Sequence, residues 1–272
     1  MRTIAIIGWL ALASAFGQTA PSPARDWTLP TNLAVKQNGP QSWRFTCDYF
    51  NLDNKGHLAN RVRYSALYTR GLPNDAVRWN DVTVAQNTDG SDKFPAAEKR
   101  EFMEGFIYPH SSDKNMLKVD FFRGFPPMAM QERNLVWDTA MIESFGQILF
   151  EHLKLNTPYH VPDTANIELA GMGSFRHKDL QLIWTGISKR NGQECVVIDY
   201  QAFFNQLEIS NPAVTLTGMS HYWGQIWVSL TTKRIEYATL YEDVFGEMKL
   251  QIQEKPMVLN VFRIGTFEPA GK

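Results

Sequence analysis

The chain has 272 residues, 44% of them hydrophobic and 12% aromatic, and a formal net charge of -1. That apolar content supports a sizeable core and excludes wholesale disorder. The near-neutral balance leaves no basic excess to recruit nucleic acid or an anionic membrane surface, and the length suits one large domain or two small ones with a broad interface.

Residues 1–20 have the layout of a secretory signal peptide. Arg2 gives a positive start, residues 4–15 are an apolar run, and small residues offer cleavage after Ala15, Gly17 or Ala20. The run falls short of the roughly 20 apolar residues of a membrane span. The expectation is an exported protein, periplasmic or extracellular, that is not an integral membrane protein; a retained N-terminal anchor is the other reading. Residues 21–40, rich in Pro, Asn, Gln and Ser, form an extended leader.

From 41 to 268 the patterns describe a single β-rich domain. In its first meander, 41–86, Trp43, Phe45, Cys47 and Tyr49 alternate with polar residues, and Val62, Tyr64, Ala66 and Tyr68 answer them after a turn at 51–57. A third strand over 76–85 carries an irregularity at Asn80-Asp81. Pro95 starts a short predicted helix through Glu104, and 118–122 is a predicted strand. The main helix lies within 128–155, with Met141, Ile142, Phe145, Ile148, Leu149 and Leu153 on its apolar face and Glu143, Gln147 and Glu151 facing away.

A second meander occupies 174–268. Asn191-Gly192 is a type I′ hairpin signal between strands over 180–188 and 194–204. The stretch 218–240, GMSHYWGQIWVSLTTKRIEYATL, holds two strands about the turn Thr231-Thr232-Lys233. Its first strand is apolar on both sides, with Tyr222, Ile226 and Val228 on one and Met219, Trp223 and Trp227 on the other, so both sides are expected to be covered. The last strand follows, interrupted near Pro256. The predicted fold is therefore α+β and β-rich: an antiparallel curved sheet or open half-barrel meander with one major amphipathic helix on its concave face.

Signatures of known chemistry are missing. No nucleophile elbow, zinc-protease helix or phosphate loop occurs. Asn51-x-Asp53-x-Lys55-Gly56 fails as a calcium loop because Lys55 puts a cation at a ligand position and Val62 stands where a bidentate Glu is needed. None of the six histidines has a partner at metal spacing, so no catalytic residue, metal ligand or cofactor is assigned. Cys47 and Cys195 are open to two readings, one long-range disulfide or two buried thiols. The candidate ligand-binding set is Trp184, Asp199, Tyr200, His221, Trp223 and Trp227, in which polar groups interrupt aromatic surface, with Glu236 as a further polar neighbour. An aromatic set of this kind either packs as plain core or lines a cavity.

The strand Cys195-Val-Val-Ile-Asp-Tyr200, followed by Tyr222-Trp-Gly-Gln-Ile-Trp-Val228 and Arg234-Ile-Glu-Tyr-Ala238, resembles the C-terminal meander of the periplasmic outer-membrane lipoprotein-carrier (LolA-like) fold. The N-terminal half, including TRGLPND at 69–75, resembles bacterial secreted proteins. The carrier resemblance covers about a third of the chain and implies an open half-barrel closed by helices over a hydrophobic cavity, and a ligand such as an acyl chain. The expected function is a non-enzymatic exported protein that binds a hydrophobic small molecule or lipid. A secreted hydrolase using His221, Asp199 or the 87–93 loop, and an envelope module with a protein partner, are the alternatives.

Overall fold

Alternation along long strands builds most of the architecture. In a computed structural model of the chain, the residues described are 30–33, 39–89, 91, 93–110, 115–162, 166–211, 214–252 and 255–271. The expected signal peptide and most of the expected leader lie outside them. The first meander consists of β1 (Gln41–Leu52), β2 (Leu58–Leu72) and β3 (Ala76–Asn87), with two short strands, β4 (Glu98–Lys99) and β5 (Phe106–Pro109), pairing along the outer edge of β3. Helix α1 (Met130–Glu143) continues through a π-turn at Ser144–Ile148 and a 3-10 turn at Leu149–His152. Short β6 (Tyr159–His160), β7 (Asn166–Glu168) and β8 (Gly173–Arg176) precede the long strands β9 (Leu180–Arg190), β10 (Gln193–Ser210), β11 (Val214–Ser229), β12 (Ile235–Leu250) and β13 (Met257–Pro269).

All of these join one sheet. Its order runs β3-β2-β1-β13-β12-β11-β10, and β8 and β9 share the far edge of β10. The pairings between strands are antiparallel, and the two ends of the sheet do not meet. The first and last long strands lie side by side in the middle, which fuses the two meanders into one curved surface. The helix covers one face of it, and the α+β, β-rich class expected from the patterns is the observed one.

Local expectations hold where turn chemistry and alternation are strong. Trp43, Phe45, Cys47 and Tyr49 are all buried, as are Tyr64, Ala66 and Tyr68 opposite them. The register of β2 against β3 shifts opposite Asn80, and Asp81 has a φ of 51°. Asn191 and Gly192 both take positive φ, 52° and 76°, as a type I′ turn requires.

Four expectations are corrected. The predicted helix from Pro95 is absent; the segment is extended, then makes a 3-10 turn at Glu101–Met103. The predicted strand at 118–122 is a 3-10 turn, Val119–Phe122. Glu143 and Gln147 do not face solvent but are buried, while Ile148 is 53% exposed. The π-turn changes the helix's phase, and cross-sheet partners make the polar burial tolerable: Arg70 donates to Glu143 at 2.9 Å and to Gln147 at 3.0 Å, and Tyr68 donates to Glu143 at 3.1 Å. Finally, among the described residues β11 is covered on one side only. Tyr222, Ile226 and Val228 lie under the helix, whereas Met219 is 45% exposed and Trp223 and Trp227 are sheltered only by neighbours on the same face.

Of the two readings for the cysteines, the structure has buried thiols. β13, β12 and β11 stand between β1 and β10, so four strand spacings of about 4.8 Å separate the two, well beyond disulfide reach. Burial pushes the Cys47 thiol up to about 12.

At Gly146 in the π-turn the helix meets the sheet so closely that a β-carbon would lie 2.9 Å from Ile226 Cγ2 and 3.4 Å from Val228 Cγ2. Gly146→Val is expected to destabilise by about 1–3 kcal/mol through overpacking, and an unchanged urea midpoint would refute that close contact. Glu143→Ala strands the buried Arg70 and is expected to cost about 3–5 kcal/mol; a loss below about 1 kcal/mol would show the network to be dispensable. His110 Nε2 lies 2.8 Å from Glu143, and that contact raises the imidazole's pKa above 6.5. The stabilisation from this pair is therefore full below pH 6.5 and is lost as pH rises through the raised value. Urea titrations of wild type and His110→Gln across that range should converge at high pH.

Candidate functional site

Beyond Gly146 the N-terminal half of the helix does not fill the concavity of the sheet. A cavity of about 590 Å³ lies there. On the helix side it is bounded by Met130, Asn134, Trp137, Asp138, Met141 and Phe145, which recur on one face at helical spacing. On the sheet side the boundary follows from register, row by row.

One row crosses four strands. Tyr49 on β1 pairs with Arg263 on β13, Arg263 with Glu242 on β12, and Glu242 with Tyr222 on β11. All four point inward and line the cavity. On one side of this polar row the concave face is packed core, including Tyr200, Ile226, Val228 and Leu240. On the other side lies a separate apolar cluster, Leu169, Ile209, Val214 and Leu216, extended by Leu207, Met248 and Leu259. That cluster forms the hollow part of the wall. Two facing glycines deepen it: Gly246 pairs with Gly218 between Leu259 and Leu207. A β-carbon on Gly218 would sit 2.6 Å from the Phe245 carbonyl oxygen, and one on Gly246 2.7 Å from the Gly218 Cα. The close strand approach excludes side chains, and the floor stays empty at that level.

The polar row is held by the helix. Arg263 donates to Asp138 through both terminal nitrogens, at 2.5 and 3.0 Å, and through Nε to Glu242. Glu242 also accepts from the Ser220 hydroxyl at 2.5 Å. Burial works against the guanidinium's charge, but Asp138 and Glu242 outweigh it and keep Arg263 firmly protonated. Burial raises the Asp138 carboxyl, with Arg263 opposing. Burial also pushes the Tyr49 phenol well above its ordinary range, so it stays a neutral hydroxyl. That hydroxyl is enclosed, with the Cys47 thiol and the Asn134 side chain beside it.

At the far end of the row, His177 Nε2 lies 2.6 Å from the Tyr222 hydroxyl. Burial lowers the imidazole pKa to about 4, and the neutral ring accepts from Tyr222. The remainder of the lining is apolar apart from short amides and hydroxyls such as Asn51, Gln131 and Ser144. Among the described residues no group of three metal-ligating side chains gathers.

None of the six candidate residues from the sequence lines this cavity. Trp184 and Tyr200 are in the packed core: the Trp184 indole N–H donates to Gly186 O at 2.9 Å, and the Tyr200 hydroxyl donates to Thr239 O at 2.7 Å. Tyr200 comes nearest in role, because its ring lies 5.4 Å from that of Phe145 on the cavity wall. Asp199, His221, Trp223 and Trp227 point to the opposite face. There Trp223 stacks on Tyr241 at 5.8 Å, and His221 meets Phe204 at 4.9 Å. Asp199 pairs with Gln225, four residues along β11 from His221, which places the two about 13 Å apart. Glu236 lies further along β12, so these three do not converge.

The residues that do form the site carried a readable signal. Arg263 occupies an inward position between Val261 and Gly265, and Glu242 one between Leu240 and Val244. Opposite charges at inward positions of neighbouring strands mark a buried pair.

The low pKa of His177 has a consequence for acid stability. Its unfolded form takes up a proton near pH 6.5 and its folded form only near 4, so its contribution is complete above about pH 6.5 and is lost as pH falls towards 4. Urea midpoints measured over that interval are expected to fall less steeply in His177→Gln than in wild type; parallel slopes would refute the burial of a neutral imidazole.

No family model matches the chain, and a comparison with curated proteins finds no match. Among solved structures the chain is similar to one described as "Lipid-protein interactions in lipovitellin", with 13% sequence identity and a TM-score of 0.37. The similarity covers 87% of this chain, which spans 26% of the length of that one. At that score the likeness assigns neither a family nor a ligand.

Proposed function

We propose that this is an exported, non-enzymatic binding protein that takes up a hydrophobic or amphiphilic molecule, a lipid or acyl chain, between helix and sheet. The observation that carries the reading is the cavity itself. Its volume of about 590 Å³ lies within the range of roughly 300–1,000 Å³ typical of small-molecule sites. Its wall pattern, apolar with a few convergent polar groups, is that of a site that buries a chain and orients one end. Each 100 Å² of apolar ligand surface removed from water there contributes about 2.5 kcal/mol. Export rests on the apolar run at 4–15 with its cleavage residues, and the open sheet with a helix across one face is the arrangement that the lipoprotein-carrier resemblance implies.

A second reading, docking of an envelope protein, is favoured by one observation. Phe204 and Phe245 on the outer face are 55% and 53% exposed, close to the exposed Met219. Phe204→Ser with Phe245→Ser would impair such docking and leave cavity binding unchanged.

Native mass spectrometry of gently purified protein is expected to show co-purifying lipid, and N-phenyl-1-naphthylamine is expected to bind with enhanced fluorescence. Leu216→Trp, which projects an indole into the hollow part of the wall, should weaken probe binding at least about tenfold. Probe binding unaffected by that substitution would place the probe elsewhere and refute the cavity as the site.

A further inference from the structure

We infer that the cavity selects an uncharged amphiphile, a chain ending in a hydroxyl or ester, over a chain ending in a carboxylate. The inference rests on the proposed function and deepens it by naming the chemistry of the ligand's polar end.

Three observations carry it. First, the charged side chains on the wall are one cation, Arg263, against two carboxylates, Asp138 and Glu242. Second, each of the three guanidinium nitrogens is already engaged by those carboxylates. An entering anion would therefore find its only counter-charge neutralised and two like charges beside it, in a place where desolvation makes an uncompensated charge costly. Third, the half-buried, uncharged amide of Asn134 lines the cavity one helical turn from Asp138, beside the enclosed Tyr49 hydroxyl. An amide can both donate and accept, so it suits a hydroxyl or ester carbonyl and offers no charge to an ion. The row lies where packed core gives way to the hollow apolar wall. A chain laid along Leu207, Leu216 and Leu259 would thus bring its polar end to Asn134. A cationic head gains little, because both carboxylates are turned onto Arg263.

The test displaces N-phenyl-1-naphthylamine from the full chain with 1-dodecanol, dodecanoate and dodecylammonium, each below its micellar concentration. Dodecanol is expected to displace the probe at a concentration at least about tenfold lower than either ion, the penalty for an unpaired buried charge. Asn134→Leu should weaken dodecanol about fivefold, as expected for one lost hydrogen bond, and narrow its margin over dodecanoate. Dodecanoate or dodecylammonium binding as tightly as dodecanol overturns the inference while leaving the cavity reading intact. Failure of the probe and all three chains to bind overturns both. The three-ligand comparison on unsubstituted protein decides the matter even if Asn134→Leu fails to fold.

Discussion

The pairing of β1 with β13 is the constraint on which the rest of the molecule depends. It joins the first long strand to the last over a run from Trp43↔Pro269 to Asn51↔Val261 and turns two local meanders into one continuous surface. Aromatic packing locks it: Phe267 stacks on Trp43 at 5.5 Å and meets the edge of Phe45 at 6.0 Å. The Trp43 indole N–H reaches across to Ile235 O at 2.8 Å. A slip of one residue would turn the inward side chains of one strand outward, and Tyr49 and Arg263 would no longer share the concave face. Because the pairing spans nearly the whole chain, its formation carries the largest loop-closure cost in the fold.

What this register positions is an electrostatic arrangement that only a complete set of partners makes tolerable. Arg263, Asp138 and Glu242 are all buried, and removing any one leaves the others uncompensated. The bond from Arg263 to Asp138 also ties the helix to the sheet midway along the helix, as Gly146 does at the π-turn. Between these two anchors the helix is fixed, and towards Met130 it spans open volume. The cavity is thus a result of where the helix is pinned, together with the glycine pair that leaves the floor bare.

Much of the fold was legible in the sequence because the governing forces are local. Period-two alternation marked β1 and β2, paired positive-φ residues marked the β9–β10 hairpin, and spaced apolar residues marked the helix. Non-local contacts were not legible. Glu143 and Gln147 have the look of a solvated helix face until Arg70, 73 residues away from Glu143, is placed against them. The site suffered most from this. Trp223, Trp227 and His221 drew attention by their size and chemistry, yet neighbours on an uncovered face account for their partial burial. Glu242 and Arg263 each interrupt an inward apolar pattern in their own strands, but with Tyr49 they come together only through the register of two strand pairs and one helix.

The polar row also divides the molecule by how freely each part can change. On the Phe267 side nearly every inward residue touches another, and substitutions there act on the whole fold. On the Leu216 side the inward residues border empty volume, so exchanging one apolar side chain for another alters the shape of the hollow with little effect on its neighbours. Substitutions on that side can therefore reshape the hollow while the scaffold stays unchanged. The buried ion cluster is the boundary between the part that tolerates exchange and the part that is held.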